Sequence, residues 1–138
     1  MPWSRLFYHL VWSTAGREPI IDQAREQIIH DHMRAVANRH GIIVHAIGGT
    51  DDHVHLAVSI PPTLAVATAV QRIKGGSSRA INEEFMREFR WQAEYGVDTF
   101  SKRHLGGVVG YISHQRQHHA DGSLWASIEP HDHDDATK

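Results

Sequence analysis

Ile42-Ile43-Val44-His45-Ala46-Ile47, Gly48-Gly49-Thr50-Asp51-Asp52, His53-Val54-His55-Leu56-Ala57-Val58-Ser59-Ile60: this stretch reads as two short strands joined by a polar turn. Gly41 and the Gly48-Gly49 pair bound the first apolar run, and Pro61-Pro62 stops the second, because proline cannot donate to a strand ladder. Side chains two apart along a strand share a face. Val54, Leu56, Val58 and Ile60 therefore line an apolar face, and His53 and His55 stand together on the other.

Upstream, residues 5–13 are aromatic and β-branched and predict a first strand. A helix follows Pro19, with Asp22 as its N-cap, Ile29, Met33 and Val36 on its buried side, and Gly41 ending it. Downstream, residues 63–74 predict a helix, Gly75-Gly76-Ser77-Ser78 an interruption, and Ile81 to Phe89 a second short helix. Trp91 to Phe100 predicts a fourth strand bent at Gly96. Ser101 then caps a last helix running to about His119. Strand, helix, strand, strand, helix, strand, helix is the order of an α+β, ferredoxin-like domain. The expectation is a four-stranded antiparallel sheet with helices on one face and a further C-terminal helix carrying Tyr111.

The size and 41% apolar content fit one core, placed at residues 1–120, with residues 121–138 as an acidic, histidine-containing tail. There is neither a long apolar run nor a secretory-type N-terminus, so a cytoplasmic protein without a membrane span is expected. Cysteine is absent, which excludes disulfides, thiolate metal sites and cysteine nucleophiles. The net charge of −2 divides into −4 on the tail and +2 on residues 1–120. That is too little positive charge to grip duplex DNA by charge alone. Arg72, Lys74, Arg79, Arg87 and Arg90 do cluster, interleaved with Glu83, Glu84 and Glu88. Arg72, Lys74 and Arg79 are candidate DNA contacts, a solvated helical face being the plain alternative. Trp91, Tyr95 and Phe100 could stack on bases or fill the core.

With 13 histidines, a His-x-His pair is expected by chance, and three occur. His30 and His32 fall on a helix, where positions two apart diverge; His131 and His133 lie in the tail. Only His53 and His55 share a rigid face, where they make half of a metal site or else two ordinary polar-face residues. On the last helix Tyr111, Gln115 and His118 fall on one side, away from Val108 and Ile112 on the buried side. A phenol is a poor nucleophile until a metal or base assists it, so this stripe has chemical options without proving any.

Asp51-Asp52-His53-Val54-His55-Leu56-Ala57-Val58, followed by Gly110-Tyr111-Ile112-x-x-Gln115-x-x-His118-His119, resembles the single-tyrosine HUH transposases, called transposase insertion sequence 200-like. Tyr8-His9-Leu10-Val11-Trp12-Ser13-Thr14 with Arg17-x-Pro19, Lys74-Gly75 with Ser77-Ser78, and Trp91-Gln92 with Tyr95-Gly96 carry the same resemblance, over about residues 5–119. The resemblance implies that His53, His55 and Gln115 bind Mg²⁺ or Mn²⁺ and that Tyr111 is the nucleophile. His118 and His119 would support the site. It also implies single-stranded DNA with hairpin ends as partner, a homodimer, a 5′-phosphotyrosine intermediate, and a nucleoid-associated prokaryotic enzyme. The turn Ala15-Gly16 departs from the family, which often has a basic residue there, as does the acidic tail. Two rivals stay open: a metal-dependent phosphodiesterase without a covalent intermediate, and a non-catalytic single-strand nucleic-acid binding module.

Overall fold

The computed structural model describes residues 4–117. Its elements are β1 (Phe7–Ser13), α1 (Glu26–Arg39), β2 (Ile43–Gly49), β3 (His53–Ser59), α2 (Val66–Phe85), β4 (Gly96–Phe100) and α3 (Leu105–Ser113), with 3-10 turns at Ala15–Arg17 and Lys102–His104. The strands lie in the order β2-β3-β1-β4, and every neighbouring pair is antiparallel. This is the expected ferredoxin-like arrangement.

The β2–β3 hairpin folds as expected, with one irregularity. Val44 pairs with Val58 and Ala46 with Ala57, so His45 is bulged out between them, and its Nε2 lies 2.6 Å from Ser59 Oγ. Beyond the bulge, Gly48 faces His55 and Gly49 faces Val54, which puts both glycines inside the strand rather than after it.

Asp22 is not the N-cap, which is Arg25; it instead caps the turn leading into α1, its carboxylate accepting the Arg25 N–H at 3.0 Å and its carbonyl the Glu26 N–H at 2.8 Å. The other end closes at Gly41, φ 72°, where Gly41 N–H donates to Asn38 O and Ile42 N–H to Ala37 O. That double closure needs a left-handed residue, which glycine supplies without a Cβ clash.

The Gly75-Gly76-Ser77-Ser78 interruption does not occur. α2 runs unbroken through it, because packing outweighs the low helix propensity of these residues. A Cβ on Gly76 would lie 2.7 Å from Val36 Cγ1, so the glycine is where α1 and α2 approach. Ser77 is buried and accepts the Trp91 indole N–H at 2.8 Å. β4 is also shorter than expected. Trp91 forms only an isolated bridge to Thr14, and the regular strand begins at Gly96. Trp91 is buried, Phe100 is half-buried and Tyr95 is 37% exposed.

Each face of the sheet has its own cover. Leu10, Trp12, Val54, Leu56 and Val58 pack with Ile29, Met33, Val70, Ile73 and Ile81 in the main core under α1 and α2. On the other face Ala46 and Ala57 pack with Val108, Tyr111 and Ile112 of α3. The last helix starts later than Ser101, whose hydroxyl instead lies 3.1 Å from His104 Nδ1. It turns at His114 and is helical again at residues 115–117. Among the described residues no helix is long and apolar enough to cross a membrane. His118, His119 and the tail lie outside the described residues.

His30 adds a pH dependence to this packing. It is 7% exposed on α1, and burial, then Arg34 and Arg116, lower its pKa to about 4, with Asp31 opposing. Because the folded value lies below the unfolded one, near 6.5, the unfolded chain binds the extra proton first. Stability is therefore whole above pH 6.5 and is lost as pH falls toward 4, by up to about 3 kcal/mol. Denaturant midpoints across that range should fall more steeply in the native sequence than in His30→Leu.

Candidate active site

Period-two alternation puts His53 and His55 on the face that α3 covers, so neither is a solvent-facing polar residue: they are 2% and 0% exposed. Burying two imidazoles is costly unless their ring nitrogens are engaged. Each ring is held at Nδ1. His53 Nδ1 lies 2.9 Å from Asp52 Oδ1 and 2.8 Å from Thr50 Oγ1. His55 Nδ1 lies 2.8 Å from Nε2 of His9, whose ring stacks on it at 5.0 Å between centroids.

The Asp52 carboxyl is held below the usual carboxylate range, first by its hydrogen bond with His53 and further by the Arg17 charge and a hydrogen bond from Thr50, against the opposing effect of burial. Arg17 reaches it at 3.5 Å. An ionised Asp52 accepts the His53 Nδ1–H, which fixes that ring's tautomer and leaves the lone pair at Nε2. If His55 donates its Nδ1–H to His9, the same holds there. Two imidazoles held from behind at Nδ1, one of them by a carboxylate, have the support that metal-ligating histidines characteristically use.

α3 brings the tyrosine to this pair. The Tyr111 ring centroid is 6.4 Å from that of His55, edge-on at 87°, and the His53 and His55 rings are 5.1 Å apart. Tyr111 is only 3% exposed, on the same buried side as Val108 and Ile112 rather than on a separate polar stripe. The expected division of the helix into an apolar and a chemical side fails because α3 lies flat on the sheet. Gln115, past the turn at His114, is 1% exposed, and neither its Oε1 nor its Nε2 has a hydrogen-bond partner. An orphaned buried amide is expensive and marks a place where a ligand would be taken up.

Among the described residues no three His, Cys, Asp or Glu side chains are grouped to hold a metal ion. Beside His53 and His55, the buried amide oxygen of Gln115 is a donor whose chemistry suits a hard divalent ion. His9 does not compete, since its Nε2 is engaged by His55.

The proposed DNA contacts lie elsewhere. Lys74 sits over the ring of Trp12 on the α2 side of the sheet, away from Tyr111, and donates to the carbonyls of Gln92 at 2.6 Å and Glu94 at 2.9 Å. Burial lowers its pKa to about 8, with Glu94 opposing. It lines a groove of about 370 Å³ with Ser78, Arg90, Trp91 and Tyr95. Arg72 and Arg79 are exposed near His40 and Glu83 respectively.

Sequence reading missed His9, Thr50 with Asp52, and Gly48. His9 shares its strand face with Phe7 and Val11, which was visible; its partner His55 lies 46 residues away, which was not. Gly48 is the contact point between β2 and α3, where a Cβ would stand 1.9 Å from the Ile112 carbonyl oxygen.

The family model described as "Transposase IS200 like" matches residues 3–115. The ISDra2 transposase TnpA of Deinococcus radiodurans is 27% identical over 118 residues, covering 80% of this chain and 84% of that protein. The transposase for insertion sequence element IS200 of Salmonella typhimurium is 27% identical over 116 residues, covering 78% and 75%. A crystal structure described as a transposase from Deinococcus radiodurans R1 superposes with TM-score 0.68 at 26% identity, over 83% of this chain and 93% of the other. A REP-associated tyrosine transposase, solved bound to a REP hairpin, shares the fold with TM-score 0.62 at 12% identity, over 90% and 73%.

Proposed function

The chain belongs to the IS200-like transposase family, and from that premise we propose that it cuts and rejoins single-stranded DNA through a covalent bond to Tyr111. The observation that carries this reading is the buried constellation itself: a phenol edge-on to His55, beside a second imidazole, with both rings held at Nδ1. A purely structural core would not bury three histidines on one sheet face and leave an unpartnered amide buried past the helix that covers it.

Tyr111 Oη attacks the scissile phosphorus as the bond to the 3′ oxygen breaks. The phenol proton ends on that oxygen, which becomes a free 3′ hydroxyl, while the 5′ side stays joined to the tyrosine. One phosphodiester replaces another, so the bond energy is kept and rejoining is the reverse step. His53, His55 and Gln115 would hold Mg²⁺ or Mn²⁺, which when bound polarises the phosphate and offsets the charge on the leaving oxygen. Asp52 and His9 keep the two imidazoles in the orientation and tautomer that binding requires. Hairpin ends are the DNA proposed, supported by the hairpin on the REP-associated fold neighbour.

Incubation with labelled single-stranded hairpin DNA and Mn²⁺ tests the proposal. A denaturant-resistant adduct absent in Tyr111→Phe supports it. Metal-dependent cleavage that survives the change favours a phosphodiesterase, and binding without cleavage favours a non-catalytic module. We further propose a homodimer whose tyrosines act within their own subunits, since Tyr111 lies beside the His55 of the same chain. Light scattering should give twice the monomer mass. Mixing Tyr111→Phe with His55→Ala subunits should restore no adduct; restored adduct formation would place the tyrosine in trans.

A further inference from the structure

The tyrosine helix is held unevenly. At its start Gly106 and Gly107 have no neighbouring atom within 4 Å of where a Cβ would stand, so this end contributes little packing. Its middle is seated by Val108, Tyr111 and Ile112. Its far end, beyond the turn at His114, is tied down by one side chain. Arg116 Nε donates to Glu26 Oε1 at 3.1 Å, Nη1 to Asp51 Oδ1 at 2.5 Å, and Nη2 to the Ile21 carbonyl at 2.6 Å.

These three acceptors belong to three parts of the fold. Ile21 precedes α1, Glu26 is in its first turn, and Asp51 is in the turn between β2 and β3. Asp51 is followed by Asp52, which holds His53, and Arg116 is preceded by Gln115. One guanidinium therefore joins the turn leading into the histidine strand to the segment that carries the amide. Its planar fork can meet three acceptors at once, which a lysine ammonium on a flexible stem does less well. Arg116 and Glu26, 28% and 27% exposed, are only partly open to water, so their charged hydrogen bond is less screened than that to Asp51, which is 49% exposed.

We propose that Arg116 is a positioning residue: it docks the far end of the tyrosine helix on Asp51, Glu26 and Ile21, and so sets Gln115 and Tyr111 against His53 and His55. The inference rests on the strand-transfer reading for its catalytic consequence, but not for the docking.

Three measurements on the full chain test it: amide hydrogen exchange, Mn²⁺ affinity by paramagnetic resonance without DNA, and single-turnover adduct formation against DNA concentration. Arg116→Ala should speed exchange over residues 105–117 while leaving β1 and β3 unchanged. It should weaken Mn²⁺ binding about tenfold and lower the maximal adduct rate about tenfold with the half-saturating DNA concentration unchanged. Arg116→Lys should recover part of each effect. Native exchange and native Mn²⁺ affinity in Arg116→Ala would overturn the proposal. So would equal loosening of the whole sheet, which is a general stability effect, or a change confined to DNA half-saturation, which would make Arg116 a phosphate contact. If the native chain forms no adduct while exchange over residues 105–117 still rises in Arg116→Ala, the docking stands and the strand-transfer reading falls.

Discussion

Tyr111→Phe is expected to lower covalent adduct formation by at least about a thousandfold, the scale of loss when a nucleophile is removed and binding is kept. The change deletes one oxygen and keeps the ring. That ring is 3% exposed, sits edge-on to His55 and packs with Val108 and Ile112, so the variant retains the contacts that seat α3. Loss of one hydroxyl in such a setting changes stability by about 1 kcal/mol in either direction, well inside the margin of a folded domain. His53, His55 and Gln115 are untouched, so Mn²⁺ affinity should match that of the native chain. A denaturing gel of labelled DNA, a Mn²⁺ titration and a melting curve, run together, separate the three quantities. Cleavage that persists with native metal affinity would remove Tyr111 from the chemistry.

Gly48→Ala should cost about a hundredfold in the same rate, through a residue that performs no chemistry. Gly48 pairs with His55 across the hairpin, and an added Cβ would stand 1.9 Å from the Ile112 carbonyl oxygen and 2.9 Å from its carbon. Backbone cannot swing aside as a side chain can. Relief to an ordinary contact requires α3 to move off the sheet by roughly 1 Å or more, a displacement at the reacting group that is enough to lose two orders of magnitude. The strain should also lower stability by about 1–3 kcal/mol. Gly107→Ala is the contrast, since its Cβ would meet nothing and alanine favours the helix by up to about 1 kcal/mol. Single-turnover adduct kinetics on both variants distinguish the effects. A native rate in Gly48→Ala would mean that chemistry does not use the docked helix.

These two residues differ in what the sequence reveals of them. Tyr111 lies in the stretch on which the sequence reading rested, and its candidacy could be named from sequence. Gly48 reads in sequence as the glycine after a strand, a turn signal. Its significance lies in what crosses it 64 positions later, and no local pattern carries that.

Much of the molecule follows from local chemistry written along the chain. Alternation over residues 53–60 put His53 and His55 together; Gly41 closed α1 and Asp22 capped the turn leading into it; and the order of elements limited the fold to the ferredoxin-like class. These features depend on neighbours a few residues apart, so sequence alone determined them. The continuity of α2 through Gly75-Gly76-Ser77-Ser78, the pairing of His9 with His55, the burial of Tyr111 and the docking of Arg116 were decided only by tertiary structure. Each arises from contacts between distant segments, 46 residues apart for His9 and His55 and 65 for Asp51 and Arg116. There, packing and burial free energies exceed the local propensities that a sequence displays.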